Sequence, residues 1–225
     1  MSNLVGLNVG LSDSLSEKTR RYADYYRQLA AGTIKNVYDN ETVSLSSCFY
    51  RSSIETANFP VCKSLLSPGT FIYCQNLSSV YFPVLGGLTQ FSFSETPKLT
   101  SILFPEVKLA EKGAIKNSSI VTADLPACKE IKDDVFEACK KLEEIKIPVC
   151  TSIGARAFIN CDALKKIFLD GVTAVPALGH LALNGTPATL KIIVPDALVE
   201  SFKAATGWSA YADKIVGISE YNAAT

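Results

Sequence analysis

Leu142 to Leu164 reads LEEIKIPVCTSIGARAFINCDAL. Leu142, Ile145 and Ile147 have the L-x-x-I-x-I spacing of a short strand, with inward groups separated by outward ones. Pro148 closes it, because proline cannot donate to a ladder. Cys150, Ile153, Ala157, Phe158 and Cys161 then supply inward-pointing groups along a return path to Leu164, where the pattern restarts. The stretch is one turn of a coil.

The chain on both sides repeats it. Prolines follow the strand at Pro60, Pro83, Pro105, Pro126 and Pro148, with gaps of 23, 22, 21 and 22 residues. Ten or eleven residues after each comes an apolar group: Phe71, Phe93, Ile115, Phe136 and Phe158. Three further on is a small side chain (Cys74, Thr96, Ser118, Cys139, Cys161), and an aliphatic then opens the next turn (Leu77, Leu99, Ile120, Leu142, Leu164). A fixed period of about 20–29 residues with this spacing is the signature of a leucine-rich repeat. One such turn buries too few apolar groups to offset the entropy of ordering its backbone. Stacked turns share a core and pair their strands, so stability belongs to the array. The expected fold is an α/β repeat solenoid with about seven short parallel strands, an N-terminal helix and a C-terminal helical cap.

Composition narrows the function classes. Among 225 residues, 48% are hydrophobic, which excludes a disordered chain, and no apolar run reaches the length of a membrane span. The 22 basic and 22 acidic residues cancel, so nothing points to nucleic acid. Basic pairs such as Lys165-Lys166, and the acid pairs Asp133-Asp134 and Glu143-Glu144, read as solvated faces. The seven cysteines are odd in number and follow the repeat: Cys128, Cys139, Cys150 and Cys161 are spaced by eleven. That is a ladder of small buried thiols rather than a disulfide framework. No C-x-x-C occurs, so neither a metal nor any other cofactor is expected. His180 is the sole histidine and lies in an irregular turn, which leaves nucleophile–histidine catalysis a poor fit and a non-enzyme the expectation.

Three segments follow: 1–32 as an N-terminal arm and helix, 33–195 as the solenoid, and 196–225 as a C-terminal helical cap. Ser14 to Glu17 has capping-box spacing, and Tyr22, Tyr25, Tyr26 and Leu29 form one stripe of a helix ending near Gly32. That helix either caps the first turn or docks elsewhere. Residues 33–53 read as a degenerate first turn, and Leu190–Val194 as the last strand. Asp196–Ala205 and Ser209–Lys214 read as short helices, with Trp208 as a core plug between them. The opening MSNLVGLNVGLSDSLSE has no basic n-region and no long apolar h-region, so no secretory signal is expected.

The turns resemble the BspA-like leucine-rich repeats of bacterial surface proteins, whose consensus carries I-G-x-x-A-F-x-x-C-x-x-L before a strand ending in Pro. Ile153-Gly154, Ala157-Phe158, Cys161 and Leu164 match it, and Phe136, Cys139 and Leu142 match from the Phe onward. The resemblance covers roughly residues 50–195. The ending from Val194 to Ile215 looks like the closing piece of similar proteins from Gram-positive bacteria and their phages. The resemblance implies a non-catalytic binding or adhesion role. With no signal peptide seen, it implies a virion or cytoplasmic protein, the extracellular surface being the family-based alternative.

Alternation along each strand places the residue between two inward ones outside. The outward column before the proline is Asn58, Tyr81, Leu103, Asp124, Lys146, Phe168 and Ile193, and two positions earlier stand Thr56, Ser79, Ser101, an offset position near Thr122, Glu144, Lys166 and Lys191. Exposed apolar groups among small hydroxyls mark a contact site. The candidate binding residues are therefore Tyr81, Leu103, Ser79, Ser101 and Phe168, facing a protein or a cell-surface glycan, with no membrane insertion. Ladder packing between like neighbours is the competing reading of the same column. The alternative function is structural assembly of a larger particle, with the N-terminal arm and helix docking or forming a homo-oligomer.

Overall fold

The computed structural model describes residues 4–6, 31–40, 44–46 and 49–224. The expected helix over 14–31, with Tyr22, Tyr25, Tyr26 and Leu29, lies outside the described residues.

One side of the stack is built of short strands. These are β1 (Leu4–Gly6), β2 (Asn36–Tyr38), β3 (Thr56–Asn58), β4 (Ser79–Tyr81), β5 (Ser101–Leu103), β6 (Thr122–Asp124), β7 (Glu144–Lys146), β8 (Lys166–Phe168), β9 (Lys191–Val194) and β10 (Ile215–Gly217). All pairings are parallel and in register, as in Thr56↔Ser79 and Thr122↔Glu144. The parallel solenoid expected from the period is present in about eight turns, and ten such strands stand among the described residues where about seven were expected. β9 is not the last strand, because β10 pairs beyond it through Ile192↔Ile215.

A second strand in each coil was not foreseen. Two-residue strands run at Ser44–Leu45, Ser64–Leu65, Gly87–Leu88, Leu109–Ala110, Glu130–Ile131, Ser152–Ile153 and Ala177–Leu178. Two residues are too few to show an alternation, which is why they leave no pattern in the sequence.

The third side of each coil is a tight return built on left-handed residues four apart. Gly69 and Tyr73, Phe91 and Glu95, Gly113 and Asn117, and Arg156 and Asn160 all have positive φ. Glycine carries no penalty there and asparagine a small one. Just before these returns, Gly154 is needed for a different reason. A Cβ at Gly154 would lie 2.5 Å from the Lys132 carbonyl carbon, so only glycine lets the coils close.

The core consists of stacked identical positions. Phe71 lies flat on Phe49 and on Phe93 at 5.0 Å and 5°, and Phe136 on Phe158 at 5.2 Å and 4°. Rings repeated once per coil fall at nearly the strand spacing of about 4.8 Å, so each ladder of rings reinforces the ladder of strands. The small column works as a set of donors. The thiols of Cys74, Cys139 and Cys161 point at the carbonyls of Phe49, Ile115 and Phe136 in the preceding coil, at 2.9, 3.3 and 3.1 Å. The six cysteines among the described residues are buried and free.

One acidic pair departs from expectation. Asp134 is buried, not solvated, and takes a two-pronged hydrogen bond from Arg156 (Nε–Oδ1 2.8 Å, Nη2–Oδ2 3.0 Å). Its neighbour Asp133 accepts the Ala155 N–H at 2.8 Å. Both carboxylates tie one return to the next. Lys165 and Lys166, in contrast, pair with Glu143 and Glu144 at the surface at 2.9 and 3.4 Å.

At the C-terminal end, Asp196–Leu198 is a 3-10 turn, Val199–Ala204 an α-helix (α1), Ser209–Lys214 a 3-10 segment and Ile218–Ala223 a second α-helix (α2). Trp208 is fully buried, edge-on to Phe202, and donates its indole N–H to the Pro176 carbonyl at 2.7 Å. No helix among the described residues is long and apolar enough to cross a membrane.

Candidate binding face

Among the described residues the strand face is interrupted at one place. β1 to β4 form one sheet and β5 to β10 another, and no ladder joins β4 to β5. The short strands break one coil earlier, between Ser64–Leu65 and Gly87–Leu88, where a single Gly86 N–H to Lys63 O bond of 2.9 Å remains. The returns stay continuous, with Phe71 N–H on Ser92 O and Phe93 N–H on Ala114 O at 2.8 and 2.7 Å. The coil from Ser79 to Thr100 is thus tied backward on one side, forward on another and both ways on the third.

The amide of Phe82 shows the consequence. In the same column, Asp39 donates to Asn58 O, Phe59 to Tyr81 O (2.9 Å), Phe104 to Asp124 O (3.0 Å), Leu125 to Lys146 O and Ile147 to Phe168 O. Phe82 N–H, whose counterpart would be the Leu103 carbonyl, has no partner among the described residues, although Phe82 is 1% exposed. A buried donor left unmade costs about 1–3 kcal/mol, so the opening is maintained at an energetic cost.

Above it lies a cavity of about 180 Å³ lined by Ser78, Ser79, Val80, Tyr81, Pro83, Ser101, Leu103 and Pro105. Four of the five sequence-derived candidates meet here. Tyr81 and Leu103 are 53% and 60% exposed, and Ser79 and Ser101 stand beside them. Sequence reasoning missed Ser78, Val80 and the two prolines as lining groups. The prolines were visible only as strand terminators, and the opening has no local signature.

Phe168 does not join this group. It lies on β8 with the edge of its ring against Tyr221 of α2 (centroids 5.7 Å, 88°), and Lys146 sits over it at 5.8 Å. Ile193, expected to face outward, is fully buried, because α2 packs over this end of the face. Lys166, beside it, has its pKa raised first by a hydrogen bond with Tyr221 and then by Glu144. The C-terminal half of the face is therefore partly covered and charged. From Asn36 on β2 to Leu103 on β5, every outward side chain is uncharged at neutral pH.

A stack of 20- to 25-residue coils, each with a short parallel strand, a buried aliphatic and aromatic column and an open strand face, defines a leucine-rich repeat solenoid. The chain belongs to the BspA-type leucine-rich repeat family: residues 33–120 and 85–178 match the BspA type leucine-rich repeat region, in six copies. Among solved structures, the chain is similar to a leucine-rich repeat protein from Bacteroides ovatus, at 12% identity over 83% of this chain and 70% of that one, with a TM-score of 0.29. No curated protein matches it.

Proposed function

We propose that the protein is a non-enzymatic recognition module that binds a protein or glycan through the N-terminal half of its strand face, as a surface adhesin or a phage tail or receptor-binding component. The observation that carries this reading is the opening between β4 and β5, where Tyr81 and Leu103 stand exposed on either side of a cavity in an otherwise paired sheet. Apolar groups among small hydroxyls desolvate at little cost, whereas the Glu144–Lys166 region would bury charge. The side chains support a non-enzymatic reading. His180 is exposed on a return, and the described thiols are buried with their pKa values pushed up, far from the thiolate that a nucleophile needs.

The test applies labelled protein to bacterial cells and to protein and glycan arrays. Changing Tyr81 and Leu103 together to Asp should abolish the signal with the fold intact, while Tyr22→Ser with Tyr26→Ser should leave it. The reverse pattern replaces recognition by the strand face with assembly through the N-terminal segment.

A further inference from the structure

We propose that the cavity above β4 and β5 is a subsite for one ring of a neutral glycan, with sugar hydroxyls bonded to Ser79 and Ser101 and a C–H face of the ring laid against Tyr81 and Leu103. This rests on the strand face being the contact surface, and it narrows the ligand from a protein or glycan to an uncharged sugar. The site lies on the outward side of the two strands, so nothing has to enter between their backbones.

Four exposed residues form a rectangle there. Ser79 and Tyr81 are two positions apart on β4, and Ser101 and Leu103 occupy the same two positions on β5. Residues two apart on a strand point the same way and stand about 6.6–6.8 Å from each other, close to the width of a pyranose ring. Ser79 and Ser101 make one end of the rectangle polar. Tyr81 and Leu103, with Pro83 and Pro105 beyond them, make the other end apolar. A pyranose has the same split, with hydroxyls around its rim and C–H groups on its faces.

The hydroxyls are available to a ligand. Among the described residues those of Ser79, Ser101 and Tyr81 make no hydrogen bond to the protein, and the Ser78 hydroxyl, which donates to Glu55 O at 3.1 Å, keeps its lone pairs. An apolar side chain seated here would strip water from these groups and return nothing, whereas a sugar hydroxyl both donates and accepts. The cavity, about 180 Å³, is smaller than the roughly 300–1,000 Å³ of pockets that enclose a drug-sized ligand, so it takes one ring and leaves the rest of a chain outside. No acidic or basic side chain lines it, so a carboxylated or sulfated sugar would lose its hydration there with no cation to replace it.

The test titrates the full chain, isotope-labelled, with methyl glycosides of glucose, galactose, mannose and N-acetylglucosamine. Methyl glucuronide is the charged counterpart, and acetyl-leucine methylamide stands for a capped apolar side chain. At least one neutral glycoside should shift the Ser79, Tyr81, Ser101 and Leu103 resonances, with the millimolar Kd that suits a single ring. Ser79→Ala with Ser101→Ala should weaken that binding by about tenfold, and Tyr81→Ala by about tenfold or more, with resonances outside the cavity unmoved. Unchanged binding by the serine variant, or glucuronide bound as tightly as the best neutral glycoside, overturns the inference. If acetyl-leucine methylamide shifts these resonances and no glycoside does, the sugar assignment fails and the strand face survives as the contact surface. If neither shifts them, the sugar assignment fails, and the strand face stands only if changing Tyr81 and Leu103 together to Asp abolishes the array signal.

Discussion

The ring of Phe104 stands steeply tilted to that of Phe82, with centroids 6.4 Å apart and planes at 65°, whereas Phe59 lies nearly flat on Phe82 at 5.3 Å and 16°. A flat stack fits within the spacing of paired strands, and an edge-on pair holds the two coils further apart. The switch falls where the column changes from Phe59, Phe82 and Phe104 to Leu125 and Ile147. With no ring on its far side, Phe104 tilts onto Phe93 instead, at 5.5 Å and 31°. The rotated ring inside the core and the missing ladder between β4 and β5 are two sides of one event.

Phe104→Leu should therefore relax the gap. Leucine matches the next residue of the column, and its loss of ring volume should cost about 1–2 kcal/mol by denaturant unfolding, short of a full truncation. The measurement is amide exchange at Phe82, which should slow towards the rate at Phe59. A folded variant with unchanged Phe82 exchange would show that the ring follows the opening rather than holding it.

Gly154→Ala should destabilise by about 1–3 kcal/mol, since the new Cβ meets backbone at 2.5 and 2.6 Å that cannot swing aside. Gly86→Ala is the matched control. There the nearest atom is the Lys63 carbonyl oxygen at 3.5 Å, an ordinary contact, and the change should stay within about 0.5 kcal/mol. Urea midpoints of the two variants that coincide would refute the close-approach argument.

Phe158→Ala removes a fully buried ring stacked on Phe136 and should cost about 3–5 kcal/mol through lost transfer energy and a cavity. Lys141→Ala, on the exposed corner of the same region, should be nearly neutral. Equal thermal midpoints for the two would contradict the register of the coil.

What was legible in the sequence is what every coil shares. Phe71, Phe93, Phe136 and Phe158 occupy one buried column, so a single period places them all, and the parallel strands and free thiols follow. What was not legible depends on how coils differ. Val80 and Ile102 occupy the same position in successive strands, yet no ladder joins those strands, and the break coincides with a turned ring in the Phe82–Phe104 column. Ile193 alternates outward on β9 but is buried, because α2, which directly follows β10, packs over the face. Ile215 to Gly217 is a strand too short to show a pattern after two helical segments. In the binding face, exposure of Tyr81 and Leu103 followed from alternation, while the cavity between them required the structure.

The thiols give the last prediction, and its sign can be worked out. Burial pushes Cys74, Cys139 and Cys150 up from the ordinary 9.0 to about 11 and Cys128 to about 12, with backbone and hydroxyl hydrogen bonds opposing it only in part. The folded chain therefore keeps these protons when the unfolded chain has lost them. Stability is full below pH 9, where both states are protonated, and should fall as pH rises from about 9 towards 11–12, because the unfolded state then binds fewer protons. Urea midpoints at pH 7, 9 and 10 measure this, and the value at pH 10 should be the lowest. Lysine side chains as a class lose their protons in the same pH range, so a Cys128→Ala, Cys150→Ala variant is the discriminating case. It should lose less stability between pH 9 and 10 than the parent, and an identical loss would assign the effect to lysines. At pH 8 the folded protein should react slowly with an aromatic disulfide reagent, and after denaturation without reductant the six described cysteines should all react. Recovery of only one free thiol would mean disulfides, and would place the protein in an oxidising compartment.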